Sequence, residues 1–398
     1  MQRMRVVHLS DIHLGFRQYQ RLTPSGINQR EADVARTFQR AIDQIIGLRP
    51  DLVLVAGDVF HTSRPSNAAI LHAFRQFLRL RSELPRTHVV MVAGDHDTPR
   101  TTESGSIMGL FDQIGIHVAA SEPRRIAIPE LETSVLAVPD GPVPELSADA
   151  GARHNLLVIH AHVREVVPQY YAELDRASAI VSRADLAGGG WDYVALGHYH
   201  IHLPVAGNAF YCGSLDYTSL NVWFDKSEEE EQRLKGKGFI EYDVARGVAR
   251  FHVVPPSREF LDLRPISARE LSPAEVNAAI ERTIEKVKGG IDDKVVRLVV
   301  RDISRSVARE LDHRMIRECK RRALHFAMDL RKPEPTRHDV AGAPARRPAV
   351  VEVVREQLRA RQIPPDLDRD RLVDLGMQYL NEADAFPVAP ASVTGAES

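Results

Sequence analysis

Five short apolar runs punctuate the chain, and each stops at a side chain able to hold a metal. RVVHLS leads to Asp11, DLVLVAG to Asp58, HVVMVAG to Asp95, NLLVI to His160 and YVALG to His198. Short, β-branched and bounded by Gly or polar residues, these runs predict buried strands. Between the first two, Val34, Phe38, Ile42, Ile45 and Ile46 fall at helical spacing. A second helix is expected from Ser66 as N-cap through Ile70, Phe74, Phe77 and Leu78. Strands alternating with helices predict an α/β fold with a covered sheet. Ligands in such folds gather at the carboxyl ends of the strands, where these polar residues lie.

FYCGS continues the pattern, and GFIEYDV with VARFHVV reads as a hairpin or edge pair. The first domain, 1–255, should close at VVPPSRE, where two prolines interrupt the strand. Within it, SEEEEQRLKGKG at 227–238 reads as a solvated, charge-rich loop. Residues 256–333 read as a small mixed domain. Its expected elements are a strand at Phe260 to Leu263, a helix capped near Ser272, a strand at KVVRLVVRD and a long helix from Val307 to Leu330. The Pro-, Ala- and charge-rich segment 334–349 has linker composition. In 350–385 two amphipathic helices are expected: Val350, Val351, Val353, Val354 and Leu358 line the first, and Leu372, Val373, Leu375, Met377, Tyr379 and Leu380 the second. The tail, 386–398, is expected to be disordered.

A length of 398 residues allows two or three domains, at roughly 100–200 residues each. With 43% hydrophobic and 27% charged residues the composition is that of a globular protein. No apolar run approaches the roughly 20 residues of a membrane-spanning helix. The start, MQRMRVVHLSDIHLG, lacks a signal-peptide core, so a cytoplasmic location without membrane contact is expected. Cys212 and Cys319 offer neither a disulfide framework nor a zinc pattern, and read as reduced thiols. A net charge of −2 gives no general argument for a nucleic-acid partner, so any such argument must come from local patches.

The chemistry lies in the series Asp11-x-His13, Gly57-Asp58, Gly94-Asp95-His96-Asp97, His160 and Gly197-His198-x-His200. Imidazole and carboxylate donors without cysteine suit a pair of divalent ions such as Mn²⁺ better than a structural zinc. Residues i and i+2 of an extended segment point the same way. Asp11 can therefore converge with His13, and His198 with His200. One such motif is weak, but several in order at strand ends are not. The competing reading, satisfied core histidines, would need a buried partner for most of them.

The series resembles the motifs of the calcineurin-like metallophosphoesterases, D-x-H, G-D, G-N-H-[DE], H and G-H-x-H. More narrowly, GDVFHTSRPS, the GHYH segment followed by YCGSLDYTS, and KGFIEYDV are similar to the SbcD-type DNA repair exonuclease subunits over roughly residues 1–245, with weaker similarity beyond. The resemblance implies a four-layer αββα sandwich, then a small α+β cap domain facing DNA and C-terminal helices. It implies one metal held by Asp11, His13, Asp58 and His200 and another by Asp58, Asp95, His160 and His198. Asp58 would bridge them, and a hydroxide shared by ions about 3.5–4 Å apart would attack a phosphodiester. His96 would hydrogen-bond the phosphate and protonate the leaving oxygen. Asp97 would orient His96 or a neighbouring backbone group, and His61 would lie near the substrate. His162 rivals His160, which directly follows the apolar run as the family motif does; His202 lies beyond the motif and is expected on the surface. Asp95 stands where the family has Asn, and offers a charged oxygen in place of a neutral one.

Arg301, Arg305, Arg309, Arg314, Arg317, Lys320, Arg321 and Arg322 concentrate in the second domain, where phosphates could be neutralised. Glu310, Asp312 and Glu318 are interleaved with them and fit an ordinary solvated face. The resemblance favours DNA contact, through Arg305, Arg309, Arg317, Lys320 and Arg321. The terminal helices could dock back on the chain or bind the coiled-coil base of an SbcC-type ATPase, and a homodimer is expected. The resulting expectation is a two-metal DNA exonuclease/endonuclease subunit of a repair nuclease–ATPase complex. A metallophosphoesterase of a small phosphodiester or phosphorylated metabolite would need no linker or terminal helices. A non-catalytic DNA-end or ATPase-binding platform has only Asp95 in its favour.

Overall fold

The structure, a computed structural model, describes residues 4–99, 105–167, 179–333, 355, 358, 359 and 368–384. The chain first lays down β1 (Arg5–Leu9), α1 (Gln29–Leu48), β2 (Leu52–Ala56), α2 (Asn67–Glu83), β3 (His88–Val92) and β4 (His117–Ala119). It crosses to a second sheet through β5 (Arg124–Ile128), β6 (Thr133–Val138) and β7 (His154–His160), with a short pair β8 (His162–Val163) and β9 (Ile180–Val181) beside it. There follow α3 (Arg183–Gly188), β10 (Tyr193–Gly197), β11 (Leu203–Ala206), β12 (Ala209–Tyr211) and α4 (Val222–Glu231). The chain then returns to the first sheet as the hairpin β13 (Gly238–Asp243) and β14 (Val248–Val253).

The sheets run β14-β13-β1-β2-β3-β4 and β11-β12-β10-β7-β6-β5. They pack on each other through Val6, Leu52, Leu54, Val90, Leu156, Val158 and Tyr193. The alternate residues face outward. Val7, Val53 and Val55 join Phe38, Ile42 and Phe77 of α1 and α2, while Leu157, Ile159 and Leu196 join Val181 and Leu186. Every second side chain thus enters a different core, which is why the five runs are apolar throughout. The architecture is the four-layer αββα sandwich. Ser66 caps α2 as expected, accepting from the Ala69 N–H. The buried face of that helix is Ala69, Ala73, Phe77 and Leu80, however, and Leu78 is exposed.

Two local readings change. The stretch 227–238, expected as a solvated loop, begins as the last part of helix α4, up to Glu231, in which Asp225 and Glu229 are buried one turn apart because both pair with Lys237; only 232–237 is irregular. The expected long helix is instead α6 (Arg305–Arg309) and α7 (His313–Arg322), followed by strand β17 (His325–Leu330). They come after β15 (Phe260–Ser267), α5 (Pro273–Glu285) and β16 (Val295–Arg301). Asp312 restarts the helix by capping the Arg314 and Met315 N–H groups. The chain turns extended at Ala323, and β17 then pairs in parallel with β16, burying Phe326. A charge-rich helical period concealed that strand. Ser272 does cap α5, with a reciprocal bond to Glu275.

The segment after β14 is tied to the sandwich by buried charge. Arg258 makes two 2.9 Å bonds to Asp33 of α1. Fully buried Arg30, which donates to Asp216 at 2.7 Å and to the Tyr217 carbonyl at 2.9 Å within the sandwich, lies over the Phe260 ring of β15 at 5.0 Å. A separate compact unit begins at Pro335 and contains α8 (Arg369–Asp384), in which Val373 and Met377 are buried and Leu375 is exposed. The linker 334–349, Val350, Val351, Val353, Val354, the tail 386–398 and the side chains of Tyr379 and Leu380 lie outside the described residues. Among the described residues no helix is long and apolar enough to cross a membrane, and both cysteines are free thiols.

Candidate metal centre

The strand ends converge through unusual backbone. Asp11 (φ 51°), His13 (φ 51°), Asp58 (φ 52°) and His198 (φ 107°) all have positive φ, at about 1–3 kcal/mol each for a residue other than glycine. Neighbouring loops hold them there. The Asp11 N–H donates to the Gly57 carbonyl at 3.0 Å, the His13 N–H to the Asp58 carbonyl at 2.9 Å, and the His198 N–H to Asp11 Oδ1 at 3.0 Å. Two glycines leave room for the converging side chains. A Cβ on Gly57 would stand 2.3 Å from His160 Nδ1, and one on Gly94 would stand 2.1 Å from Asp58 Oδ1.

Among the described residues five overlapping donor groups result, and His96 enters two of them, with His13 and His61 and with Asp58 and Asp95. Two groups that share no residue hold most of the expected ligands. Asp11, His13 and His200 each present an atom within 4.8 Å of the others, and so do Asp95, His160 and His198. Asp58 lies between them, its Oδ2 3.6 Å from His13 Nε2 and 3.8 Å from His160 Nε2. In the first group His13 Nε2 and His200 Nε2 are 2.9 Å apart. In the second, Asp95 Oδ1 is 3.0 Å from His160 Nε2 and 3.7 Å from His198 Nδ1.

The electrostatics ask for added positive charge. Burial, reinforced by Asp95, pushes the Asp58 carboxyl well above the usual range, and burial also raises Asp11. Burial opposes charge on His160, yet Asp58 and Asp95 outweigh it and hold its pKa well above the ordinary value. Burial opposes ionisation of Asp95 too, but hydrogen bonds from His160 and His198 hold it well below the usual carboxylate range. Asp95 Oδ2 is nevertheless buried without a hydrogen-bond partner. His13 and His200 are pushed well below the imidazole range, chiefly by burial, and so are neutral donors. His160 Nδ1 donates to the Ala56 carbonyl at 2.9 Å, leaving Nε2 toward the carboxylates. Nitrogen and oxygen donors, crowded carboxylates and an orphaned oxygen fit a pair of divalent cations.

His96 borders the centre and is partly exposed, its Nδ1 donating to the His61 carbonyl at 2.7 Å. Its Nε2 stands 3.8 Å from Asp95 Oδ2, while its backbone N–H donates to Asp58 Oδ1 at 3.0 Å. His61 stacks on His96 at 5.0 Å, and burial lowers its pKa to about 4. Asp97 is turned away into the protein. It accepts the backbone N–H groups of Val59 (3.0 Å), Phe60 (2.8 Å) and Gly94 (3.1 Å), splinting the loops after β2 and β3. Burial raises its pKa to about 6. Among the described residues His162 joins none of the ligand groups and packs edge-on against His198 at 5.8 Å. His202 is not the surface residue expected: it is half-buried, stacks on Phe251 of β14 at 4.3 Å and on Phe210 of β12 at 6.5 Å, and donates to the Tyr211 carbonyl. Arg305, Arg309, Arg317, Lys320 and Arg321 are all exposed on α6 and α7, and Arg321 is paired with Glu318 at 2.9 Å.

Sequence reasoning missed the supports behind the candidate ligands. Ser10 donates to Asp11 Oδ2, and buried Lys237 donates to the His200 carbonyl at 2.8 Å. The available signal was the pair Asp225 and Glu229, one helical turn apart and just before a lysine.

Comparison with known proteins bears on the family of the chain. The chain is 27% identical over 259 residues to a protein of Methanococcus maripaludis called DNA double-strand break repair protein Mre11, covering 61% of this chain and 63% of that one. Proteins of the same name from Sulfolobus acidocaldarius (24% over 299 residues, 72% of each) and Methanocaldococcus jannaschii (28% over 251 residues, 61% and 63%) are also similar. The matched part thus spans less than two thirds of two of these relatives. A family model described as calcineurin-like phosphoesterase matches residues 4–202. That is half of the chain and includes every proposed ligand from Asp11 to His200, so the chain belongs to the calcineurin-like phosphoesterase family.

Proposed function

We propose that this chain is a two-metal-dependent DNA exonuclease and endonuclease, working as the nuclease subunit of a DNA repair complex with a coiled-coil ATPase. The observation that carries the reading is the pair of donor groups on either side of Asp58, with His96 at their border. Asp11, His13, Asp58 and His200 would hold one cation, and Asp58, Asp95, His160 and His198 the other, with Mn²⁺ favoured by the donors. When bound, the cations supply positive charge to the phosphoryl oxygens and acidify water. His96 binds the phosphate and hands a proton from Nε2 to the leaving oxygen, His61 backs it by stacking, and Asp97 keeps the loops in register. Arg305, Arg309, Arg317, Lys320 and Arg321 contact DNA phosphates. The region 350–385 binds the SbcC-type ATPase, and two copies assemble as a homodimer. Domain limits at 255, 333, 349 and 385 belong to the same reading. The names of the similar proteins support the DNA substrate.

With Mn²⁺, the purified chain is expected to degrade linear duplex or hairpin-ended DNA, alone or with the ATPase. Hydrolysis of bis-p-nitrophenyl phosphate with DNA left intact would favour a small phosphodiester instead. Calorimetry showing no metal binding would leave only a non-catalytic platform.

Asp95 sits where it can serve as a ligand, with Oδ1 toward His160 and His198. Its charge tightens metal binding while opposing an anionic phosphate, an effect bounded by about 4 kcal/mol for unit charges about 4 Å apart at an effective dielectric of about 20. Asp95→Asn preserves the Oδ1 donor. It is expected to keep two Mn²⁺ per chain and to retain or raise the nuclease rate; loss of the second ion in a calorimetric titration would refute this.

A further inference from the structure

Behind the metal-facing surface, Lys237 is buried just before β13, where a lone ammonium would be costly. Its Nζ lies 3.2 Å from Asp225 Oδ2, 3.1 Å from Glu229 Oε1 and 2.8 Å from the carbonyl oxygen of His200. Two carboxylates already outnumber its charge, so neutralisation alone does not explain the third bond. Buried ion clusters contribute little to net stability compared with well-packed apolar residues. What this cluster does in addition is direct a charge-assisted hydrogen bond at the backbone of one proposed ligand.

The same carbonyl accepts the Ser214 N–H at 3.1 Å. One residue earlier, Tyr199 donates its hydroxyl to Glu228 of α4 at 3.2 Å. Helix α4 and Lys237 therefore grip Tyr199 and His200 from behind. Within the same loop His198 is fixed differently, by its N–H on Asp11.

We infer that Lys237, locked by Asp225 and Glu229, is a positioning residue that sets His200 for one of the two cations and leaves the other cation untouched. The inference rests on the two-cation reading proposed above. Groups behind a ligand typically account for about 10- to 100-fold in metal affinity. The effect here should fall on the site of Asp11, His13 and His200 and spare that of Asp95, His160 and His198.

The test is a calorimetric titration of Mn²⁺ into the full chain and into the double variant Lys237→Met/Asp225→Asn, which removes one charge of each sign, with thermal melting measured on both. The unaltered chain should bind two ions. The variant should hold one normally and the other about 10- to 100-fold more weakly, and Lys237→Arg should restore much of the loss. Unchanged affinity for both ions would overturn the inference, as would equal weakening of both, which would mark a purely structural cluster. Should the double variant fail to fold, Lys237→Gln carries the same expectation and the same refutations. Failure of the unaltered chain to bind Mn²⁺ would instead remove the two-cation reading itself.

Discussion

His96→Ala is expected to lower phosphodiester hydrolysis by about 100- to 10,000-fold, roughly 3–5 kcal/mol of barrier, while two Mn²⁺ ions stay bound. The imidazole is anchored through Nδ1 on the His61 carbonyl, so Nε2 is the atom presented to substrate. It belongs neither to the Asp11, His13, His200 group nor to the Asp95, His160, His198 group, although it can also be grouped with His13 and His61 or with Asp58 and Asp95, which is why bound metal must be counted. Its other contact with the centre is made by the backbone, whose N–H donates to Asp58 Oδ1. Alanine keeps that bond. Single-turnover hydrolysis measured beside elemental analysis of bound manganese decides the matter. Loss of an ion together with activity would make His96 a ligand rather than a proton donor.

Asp58→Asn should be more damaging, removing both ions and all measurable turnover. Asparagine tolerates the left-handed backbone of residue 58 and keeps an oxygen for the His96 N–H. Its amide nitrogen must then take the place of Oδ2, the atom that faces His13 and His160. A donor pointing at both groups cannot bridge cations. The metal-free fold should hold or gain stability, because burial and Asp95 already push the Asp58 carboxyl well above the usual range. Melting with and without Mn²⁺ reads this directly. At about 100 times the Kd a single ion stabilises by about 2.7 kcal/mol, and that increment should vanish in the variant. A variant still stabilised by Mn²⁺ would show that Asp58 does not bridge.

The strands and the convergence of the polar residues that end them were legible because each run is too short for a helix, rich in β-branched residues and ended by a polar group. Which residues face which core was not, since β1, β2 and β7 are apolar on both sides. The role of Asp97 was hidden for a related reason: its three partners are backbone N–H groups brought together only by the loops after β2 and β3. The stretch from Val307 misled because charged residues at helical spacing run on to Arg322, whereas pairing with β16 decides the fate of His325–Leu330. Lys237 escaped notice because its partners depend on α4 folding against the loop after β10.

The antiparallel pairing of β1 with β13 joins Arg5 to Asp243 and His8 to Ile240. During synthesis the first strand therefore leaves the ribosome long before its neighbour exists. Until then one side of β1 is an open edge, able to pair wrongly with another chain. Asp11, His13 and Asp58 are made early, but the histidines after β10 and the lysine behind them arrive only as that edge is about to close. A nascent chain thus lacks part of the proposed ligand set until the strand that closes the first sheet is about to be made.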